Sequence, residues 1–440
     1  MIRCAALAAA ALVLLSPADA AQQGPAPAAQ PSLEQTSKEA RATVDALVAT
    51  PRFAQARARL DADYDRTIAE LIRITETPAP PFQEAARAKL MADLFRQHGL
   101  RDVTIDAAGN VLGLRPGTGG GRLLVISAHL DTVFPADTPI KVRREGNRLL
   151  APGIGDDSLG LAAMLAWMRA LDAASVRTRD DILFVGTVGE EGRGDLRGVR
   201  YLFGDSPLRD RIAAFVSVDG SQVARVVHGA VGSRRYRVTF SGPGGHSYGA
   251  FGSVNPLAAL SDAVHRLYLI NPPTDPKTTY SASVAGGGTS INSIPESVFV
   301  DIDMRSPDRD ALKRLDERFL AIVAEAVAAE NGARSTANGA VSAKSELVGD
   351  RPAGATPAEH PLVQLMLAAN RAHGVEPRLD HSSTDSNIPM SLGVPALTIG
   401  TGAGGGRSHS LEEYLEVERT PFLRGLSIGL AFALAAAGPQ

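Results

Sequence analysis

Cysteine is nearly absent from this chain, and aromatic residues are scarce. One cysteine in 440 residues excludes a disulfide framework, a thiolate zinc finger and a cysteine-ligated iron–sulfur cluster. Aromatic residues make up 5% of the chain, which is few for a surface that stacks nucleic-acid bases. The formal net charge of −3 also lacks the basic excess of a nucleic-acid-binding protein. A metal ion bound here must therefore be held by His, Asp and Glu.

The N-terminus has the pattern of a cleavable export signal. Arg3 supplies a positive charge, residues 5–15 are apolar, and Ala18-Asp19-Ala20 forms an A-x-A site. The apolar run is shorter than the ~20 residues that span a bilayer. We therefore expect cleavage after Ala20, loss of Cys4 with the signal, and a periplasmic or secreted protein without a stable membrane anchor.

Hydrophobic patterning divides the remaining chain into a larger α/β domain and a smaller inserted domain. The fully apolar run at 123–126, and the similar runs at 182–185 and 214–218, are typical of central strands that are buried on both faces. Two alternating strands and two helices then predict a smaller α+β domain with one open sheet face. The predicted segments are a signal peptide, a flexible or helical lead-in, a first catalytic part, the insert and a second catalytic part, at residues 1–20, 21–60, 61–229, 230–343 and 344–440.

Acidic and imidazole side chains follow the ends of the predicted central strands. They are His129, Asp131, Asp156, Asp157, Glu190, Glu191, Asp219 and His409. Each has an ordinary explanation, such as a helix cap at Asp156 or Asp157. Together they lie where open α/β sheets bind ligands, and clustered carboxylates need a cation at close range. Nitrogen and oxygen ligands without thiolate suit Zn²⁺, with Co²⁺ or Mn²⁺ as substitutes.

Four segments carry a family resemblance: SAHLDTV at 127–133, GDD at 155–157, GEEG at 189–192 and SHSLEE at 408–413. They resemble the signatures of a co-catalytic dizinc exopeptidase and deacylase family that includes peptidase T, carnosinase, carboxypeptidase G and acetylornithine deacetylase. STDSN at 383–387 is most similar to peptidase T. The resemblance implies a mixed central sheet flanked by helices, with an inserted α+β lid that also forms a homodimer.

The resemblance also implies a metal site with two Zn²⁺ per chain. Asp156 would bridge the two ions. His129 and Asp219 would complete one site, and Glu191 and His409 would complete the other.

Five further residues receive roles from the same resemblance. Asp131 would accept the second imidazole N–H of the histidine two residues before it, and Glu190 would be the general base. On the lid, His246 would reach the partner subunit's active site and stabilise the oxyanion. Asn292 and Arg305 would contact substrate, and Arg305 could pair with a substrate carboxylate.

The predicted activity is hydrolysis of amide bonds in short peptides, with an aminopeptidase acting on di- and tripeptides as the first choice. A carboxypeptidase or an N-acyl-amino-acid deacylase would use the same metal core and is the alternative.

Two unrelated functions also have motifs in the chain. Residues 245–249 fit the G-x-S-x-G pattern of a serine hydrolase, with Ser247 as nucleophile and Asp385 and His409 following in order. Residues 400–405 fit the G-x-G-x-x-G pattern of a nucleotide-binding loop. The first pattern needs a strand, a sharp turn and a helix, and the second needs a helix that starts at the loop. Neither context is predicted here.

Overall fold

The computed structural model describes residues 36–440, so the predicted signal peptide and Cys4 lie outside the described residues. The strands are β1 (Arg101–Ile105), β2 (Val111–Arg115), β3 (Leu123–His129), β4 (Arg143–Glu145), β5 (Arg148–Leu150), β6 (Asp181–Thr187), β7 (Ile212–Val218), β8 (Arg225–Ala230), β9 (Gly232–Ser241), β10 (Gly245–His246), β11 (Thr279–Gly287), β12 (Ser293–Ile294), β13 (Ser297–Ser306), β14 (Ser342–Arg351), β15 (Gly354–Ala355), β16 (Arg378–Ser382), β17 (Ala396–Ile399), β18 (Gly405–Gly406) and β19 (Tyr414–Glu416). The helices are α1 (Lys38–Val48), α2 (Pro51–Ala62), α3 (Tyr64–Thr75), α4 (Ala85–Gln97), α5 (Ser158–Ala173), α6 (Arg197–Gly204), α7 (Pro256–Leu267), α8 (Arg309–Ala333), α9 (Pro361–Ala372), α10 (Asn387–Ser391) and α11 (Arg419–Ala437).

The lead-in to the first predicted domain is helical from Lys38 onward. The Ser37 side chain accepts the Ala40 N–H at the start of α1, and Thr50 does the same for Phe53 at the start of α2. These are side-chain caps of the kind that stabilise helix N-termini. Helices α1 and α2 pack on α9, α11 and α5, so this segment is part of the folded catalytic unit.

Nine strands form the large sheet, in the order β1-β2-β6-β3-β7-β17-β8-β15, with β16 paired to β8. Strand β3 runs parallel to β6 and β7, and β17 runs parallel to β7. Strands β1 and β2 add an antiparallel edge. Every residue of β3 and β6 is buried, so both faces of the sheet are covered there. The predicted mixed sheet flanked by helices is confirmed.

Two apolar helices pack against each other beside this sheet. Helix α5 is buried from Ser158 to Leu171, and its Trp167 Nε1 donates to the Leu426 carbonyl of α11 at 2.9 Å. By length and composition α11 could cross a membrane, but 72% of its most apolar stretch is buried inside the protein. Within the described residues it is a core helix.

The insert contains a four-stranded antiparallel sheet in the order β11-β13-β9-β14. Alternate residues of β13 are buried, and they pack against α7 and α8 on one face. The other face carries ion pairs such as Arg237–Asp301 at 2.7 Å. Strand β14 continues to Arg351, past residue 343, where we expected the insert to end. Residues 342–348 of β14 are all exposed or only partly buried. Their sequence therefore lacks the alternation of apolar and polar residues that marks a strand.

Candidate metal centre

The parallel strands of the large sheet bring chain-distant side chains to one edge. His129 is the last residue of β3, Glu190 and Glu191 follow β6, and Asp219 follows β7 directly. Parallel pairing aligns the carboxyl ends of these three strands. Gly160 lets the start of α5 approach this edge, because a Cβ there would lie 2.0 Å from the Val218 carbonyl oxygen.

Asp156 lies between the two histidines of the site. Its Oδ1 is 2.9 Å from His129 Nε2, and its Oδ2 is 3.1 Å from His409 Nε2. His409 Nε2 is also 3.0 Å from Glu191 Oε1. The ligand atoms of His129, Asp156 and Asp219 lie within 4.8 Å of one another, as do those of Asp156, Glu191 and His409. The five side chains therefore form two trios that share Asp156.

The charge state of this cluster fits a divalent cation. Burial, and then the nearby Asp156, raise the pKa of Asp219 to about 7. Hydrogen bonds to Asp156 and Glu191 raise the pKa of His409 to about 10. Burial opposes protonation of His129, but its hydrogen bond to Asp156 raises its pKa well above the usual value. Without a cation, protonated imidazoles would have to balance the carboxylates. The His and carboxylate donors fit zinc-class ions, which would displace those protons.

Asp131 does not hold the imidazole in the way we expected. His129 Nδ1 lies 2.9 Å from the Asp131 main-chain oxygen, whereas the carboxylate is 3.9 Å away. The carboxylate instead accepts the main-chain N–H groups of Glu190 and Glu191, at 3.0 and 2.8 Å. Asp131 therefore orients the histidine through its backbone and the glutamate pair through its side chain. The spacing of His129 and Asp131 in the sequence could not show whether the main chain or the side chain of Asp131 contacts the imidazole.

Asp157 and Glu413 support the backbone around Asp156 and His129; helix capping was the ordinary role expected for Asp157, and Glu413 had no predicted role. Asp157 caps α5 by accepting the Gly160 N–H at 3.2 Å, and it also accepts the His129 N–H at 3.0 Å. Glu413 accepts the N–H groups of Gly153, Gly155 and Asp156, at 2.8, 2.8 and 3.0 Å. Burial raises the pKa of Glu413 to about 7. Glu413 is the last residue of the SHSLEE motif, and this position in the motif was the feature of the sequence that could have identified it.

Glu190 is buried and forms an ion pair with Arg351, and its carboxylate also lies within 4.8 Å of ligand atoms of His129 and Glu191. Arg351 Nη1 lies 3.1 Å from Glu190 Oε1 and 3.2 Å from Ser383 Oγ, and Nη2 donates to the Glu190 main-chain oxygen. Burial raises the pKa of Glu190 well above its usual value, and Arg351 opposes that rise. No local pattern in the sequence marked Arg351, since it ends a strand of the insert 161 residues away.

The three lid residues predicted to contact substrate lie in two places. Arg305 lines the cavity of about 520 Å³ that contains Asp156, Glu190 and His409. Its Nε donates to Asp303 at 2.6 Å. His246 and Asn292 lie together on exposed lid segments, joined by the pairing of β10 with β12.

Tyr248 and Gly249 donate their main-chain N–H groups to His246 Nδ1, at 3.2 and 3.3 Å. Its Nε2 has no partner among the described residues. His246 and Asn292 do not line the cavity of their own chain.

The motifs of the two unrelated functions lie in other structural contexts. Ser247 follows the two-residue strand β10 and precedes an exposed turn, so the strand–turn–helix geometry of a nucleophile is not formed there. His409 contacts Asp156 and Glu191. The glycine-rich segment at 400–405 leads into β18, and no helix starts at it.

Comparison with known proteins gives a consistent picture. The model of peptidase family M20/M25/M40 matches residues 125–433. Carboxypeptidase G2 of Pseudomonas sp. (strain RS-16) is 29% identical over 218 residues, which are 48% of this chain and 51% of that protein. The chain thus matches about half the length of that relative.

Two solved structures share the fold. Aminopeptidase PepT of Bacillus cereus has a TM-score of 0.68 at 20% identity, and the match covers 85% of this chain and 99% of that one. The Bacillus subtilis YXEP protein, described as a dinuclear metal-binding peptidase of family M20, has a TM-score of 0.62 at 15% identity, covering 86% and 99%.

Proposed function

Because the chain belongs to peptidase family M20/M25/M40, we propose that it is a dizinc hydrolase of short peptides with a free carboxylate near the scissile amide. The observation that carries the proposal is the pair of ligand trios sharing Asp156, with the buried Glu190 beside them in one cavity. Membership of the family makes it a metal-dependent peptidase or amidohydrolase, and zinc and the carboxylate-bearing substrate are the proposed additions.

The chain's own residues supply binding, orientation and proton transfer. Two divalent cations held by the trios would supply Lewis-acid activation of water and of the scissile carbonyl. Glu190 would take a proton from the attacking water and pass it to the leaving amine. Burial raises the pKa of Glu190, which suits a carboxylate that must both accept and return a proton. Arg351 holds that carboxylate in one position.

The arginines of the cavity favour a substrate carboxylate close to the metal centre. Arg225, Arg235 and Arg305 line it, in addition to Arg351, which is already paired with Glu190. Guanidinium groups bind carboxylates with paired, charge-assisted hydrogen bonds. A dipeptide or an N-acyl amino acid presents its α-carboxylate next to the scissile amide. This supports a dipeptidase, a carboxypeptidase or a deacylase. The tripeptide aminopeptidase predicted from sequence stays the second candidate, supported by the fold shared with PepT.

Export and dimerisation are part of the proposal. The N-terminal charge and apolar run support cleavage after Ala20 and a periplasmic or secreted protein. A homodimer through the insert is supported by the exposed large side chains Tyr248, Phe251 and Ile291 near His246 and Asn292. A dimer would bring the His246 of one subunit to the cavity of the other.

Metal analysis and a peptide panel test the proposal together. The purified mature protein should hold close to two zinc-class ions per chain and should hydrolyse dipeptides or N-acyl amino acids. Glu190→Gln should keep the metal while losing turnover by about 100-fold or more. A metal-free preparation with full activity, or a metal-loaded protein inactive on every amide in the panel, contradicts it.

A further inference from the structure

The cavity at the metal centre continues into a second, smaller cavity of about 310 Å³. Asp219, Ser221, Arg225 and Gly406 line both of them. A substrate bound at the metal trios can therefore extend a side chain past Asp219 into the second cavity.

The lining of the second cavity is polar and carries positive charge. Arg225 and Arg378 are its two cationic residues, and its one acid is Asp219, which belongs to a metal trio. Val227 is its one large apolar residue, and glycines, serines, Thr398 and Gln222 complete the wall. Such a lining disfavours an apolar side chain, whose burial needs apolar contacts.

The two arginines share one carboxylate. Arg225 Nε lies 2.7 Å from Asp380 Oδ2, and Arg378 Nη2 lies 3.8 Å from the same oxygen. Asp380 Oδ1 accepts the His381 main-chain N–H at 2.8 Å. Within this cluster of three side chains, one carboxylate faces two guanidinium groups, and the other acid of the cavity, Asp219, belongs to a metal trio. Among the described residues, neither terminal nitrogen of Arg225 has a partner.

Asp380 therefore fixes Arg225 through Nε and leaves its paired terminal N–H groups available. Asp380 is absent from the lining of both cavities, whereas Arg225 lines both. This is the arrangement that guanidinium groups use to bind carboxylates, with one face anchored by the protein and the other given to the ligand.

We propose that Arg225 and Arg378 form an anion subsite for a second carboxylate of the substrate, so that the preferred substrates are short amides containing Asp or Glu. This inference rests on the proposed amide hydrolysis and names its substrate class. The lid residue Arg305 would bind one carboxylate, and the Arg225 subsite would bind the other across the metal centre.

Matched peptide pairs that differ by one charge test the subsite. The pairs are Ala-Glu against Ala-Gln, Glu-Ala against Gln-Ala, and N-acetylglutamate against N-acetylglutamine. The acidic member of at least one pair should have a kcat/KM about tenfold higher or more, as expected from a charge-assisted hydrogen bond. In Arg225→Gln this ratio should fall to about one, whereas Arg143→Gln, which removes an exposed arginine outside both cavities, should keep it.

Charge reversal gives a readout that loss of folding cannot imitate. Arg225→Glu should prefer a Lys-containing peptide over its Glu-containing counterpart, reversing the wild-type order. Melting temperature and metal content show whether each variant is folded. In the Glu190→Gln background, Kd values measured by calorimetry should show the same preference for the acidic ligand. This result would show that the preference arises from ligand binding and not from the chemical step.

The outcomes separate the subsite from the proposed function. Equal hydrolysis of acidic and amide members by the wild type, or an unchanged ratio in Arg225→Gln, overturns the subsite and leaves the hydrolase. If no amide is hydrolysed, the proposed function fails. The Kd ratio of N-acetylglutamate to N-acetylglutamine then still decides whether the subsite exists.

Discussion

Arg351 and Glu190 form a buried ion pair, with Nη1 and Oε1 3.1 Å apart and side chains 4% and 8% exposed. Arg351 ends β14 of the insert, whereas Glu190 follows β6 of the large sheet. The pair therefore ties the proposed base directly to the lid. Its position makes the protonation state of Glu190 depend on a residue outside the catalytic sheet.

Arg351→Met should lower kcat by about 100-fold while the metal content stays unchanged. Burial already raises the pKa of Glu190, and Arg351 lowers it, so removal of the cation raises it further. A base must be deprotonated to act, so the acidic limb of the kcat/KM profile should move to higher pH. Arg351→Lys restores the charge without the paired N–H groups and should recover part of the loss. An unmoved pH profile in Arg351→Met contradicts this role.

Glu413→Gln should weaken metal binding by about 10- to 100-fold, as measured by competition with a chelator. Glu413 accepts three main-chain N–H groups of the loop that carries Asp156, and glutamine can accept with one oxygen only. The neighbouring Glu412 is exposed and pairs with Arg407, so Glu412→Gln is the matched control and should bind metal normally. Equal metal affinity in the two variants argues against the support role.

Metal binding at pH 7 should release at least one proton per chain. The pKa of His409 is raised to about 10 by its hydrogen bonds to Asp156 and Glu191, so the metal must displace a proton from it. Affinity should therefore fall as the pH falls, by about tenfold per pH unit for each released proton. Calorimetry in buffers that differ in their heat of ionisation measures the number of protons released. The control variant His265→Gln, at an exposed position on α7, should release the same number of protons. If the heat of metal binding is the same in every buffer, no proton is released and the prediction is wrong.

Arg87→Met should lower the free energy of unfolding by about 2–4 kcal/mol. Arg87 is fully buried and donates to the main-chain oxygens of Thr77 at 2.9 Å and Leu130 at 2.8 Å, and the change leaves them without these partners. Arg96 lies exposed on the same helix, so Arg96→Met should cost no more than about 0.5 kcal/mol. Urea unfolding measures the stability of both variants. Equal losses of unfolding free energy in Arg87→Met and Arg96→Met would show that the buried hydrogen bonds of Arg87 do not stabilise the fold.

Mixing two inactive variants tests the dimer. His246→Ala lacks the lid histidine, and Glu190→Gln lacks the base. If His246 acts in the partner's site, each mixed dimer holds one complete site, and random pairing restores about a quarter of wild-type activity. No recovery after refolding the two together, with mixed dimers verified by mass, contradicts action in trans.

Local pattern made much of the fold predictable. The apolar runs at 123–126 and 182–185 lie in strands whose residues are all buried, because strands covered on both faces must be apolar throughout. The insert's last strand was harder to predict. Residues 342–351 form an edge strand with little buried surface, so their sequence resembles a loop.

Chain position and residue type marked eight acidic and imidazole side chains as candidates for the metal centre, and the family resemblance assigned five of them as ligands. Each candidate follows an apolar strand or a glycine-rich turn, and strand ends in an open α/β sheet meet at one edge. The structure brings His129, Asp156, Glu191, Asp219 and His409 together in two trios, and their roles as ligands stay a prediction.

Only the tertiary structure decided how those side chains are supported and what surrounds them. Arg351 contacts Glu190 across 161 residues, and Glu413 contacts Asp156 across 257. Asp380 anchors Arg225 across 155 residues, and neither residue lies in a sequence motif. Such pairings depend on how separate strands and domains pack, and hydrophobic period or local spacing carries no information about them. The sequence therefore determined which residue types meet at the centre, whereas packing between distant segments decided the position of Glu190, the support of the loop that carries Asp156 and the charge of the adjoining cavity.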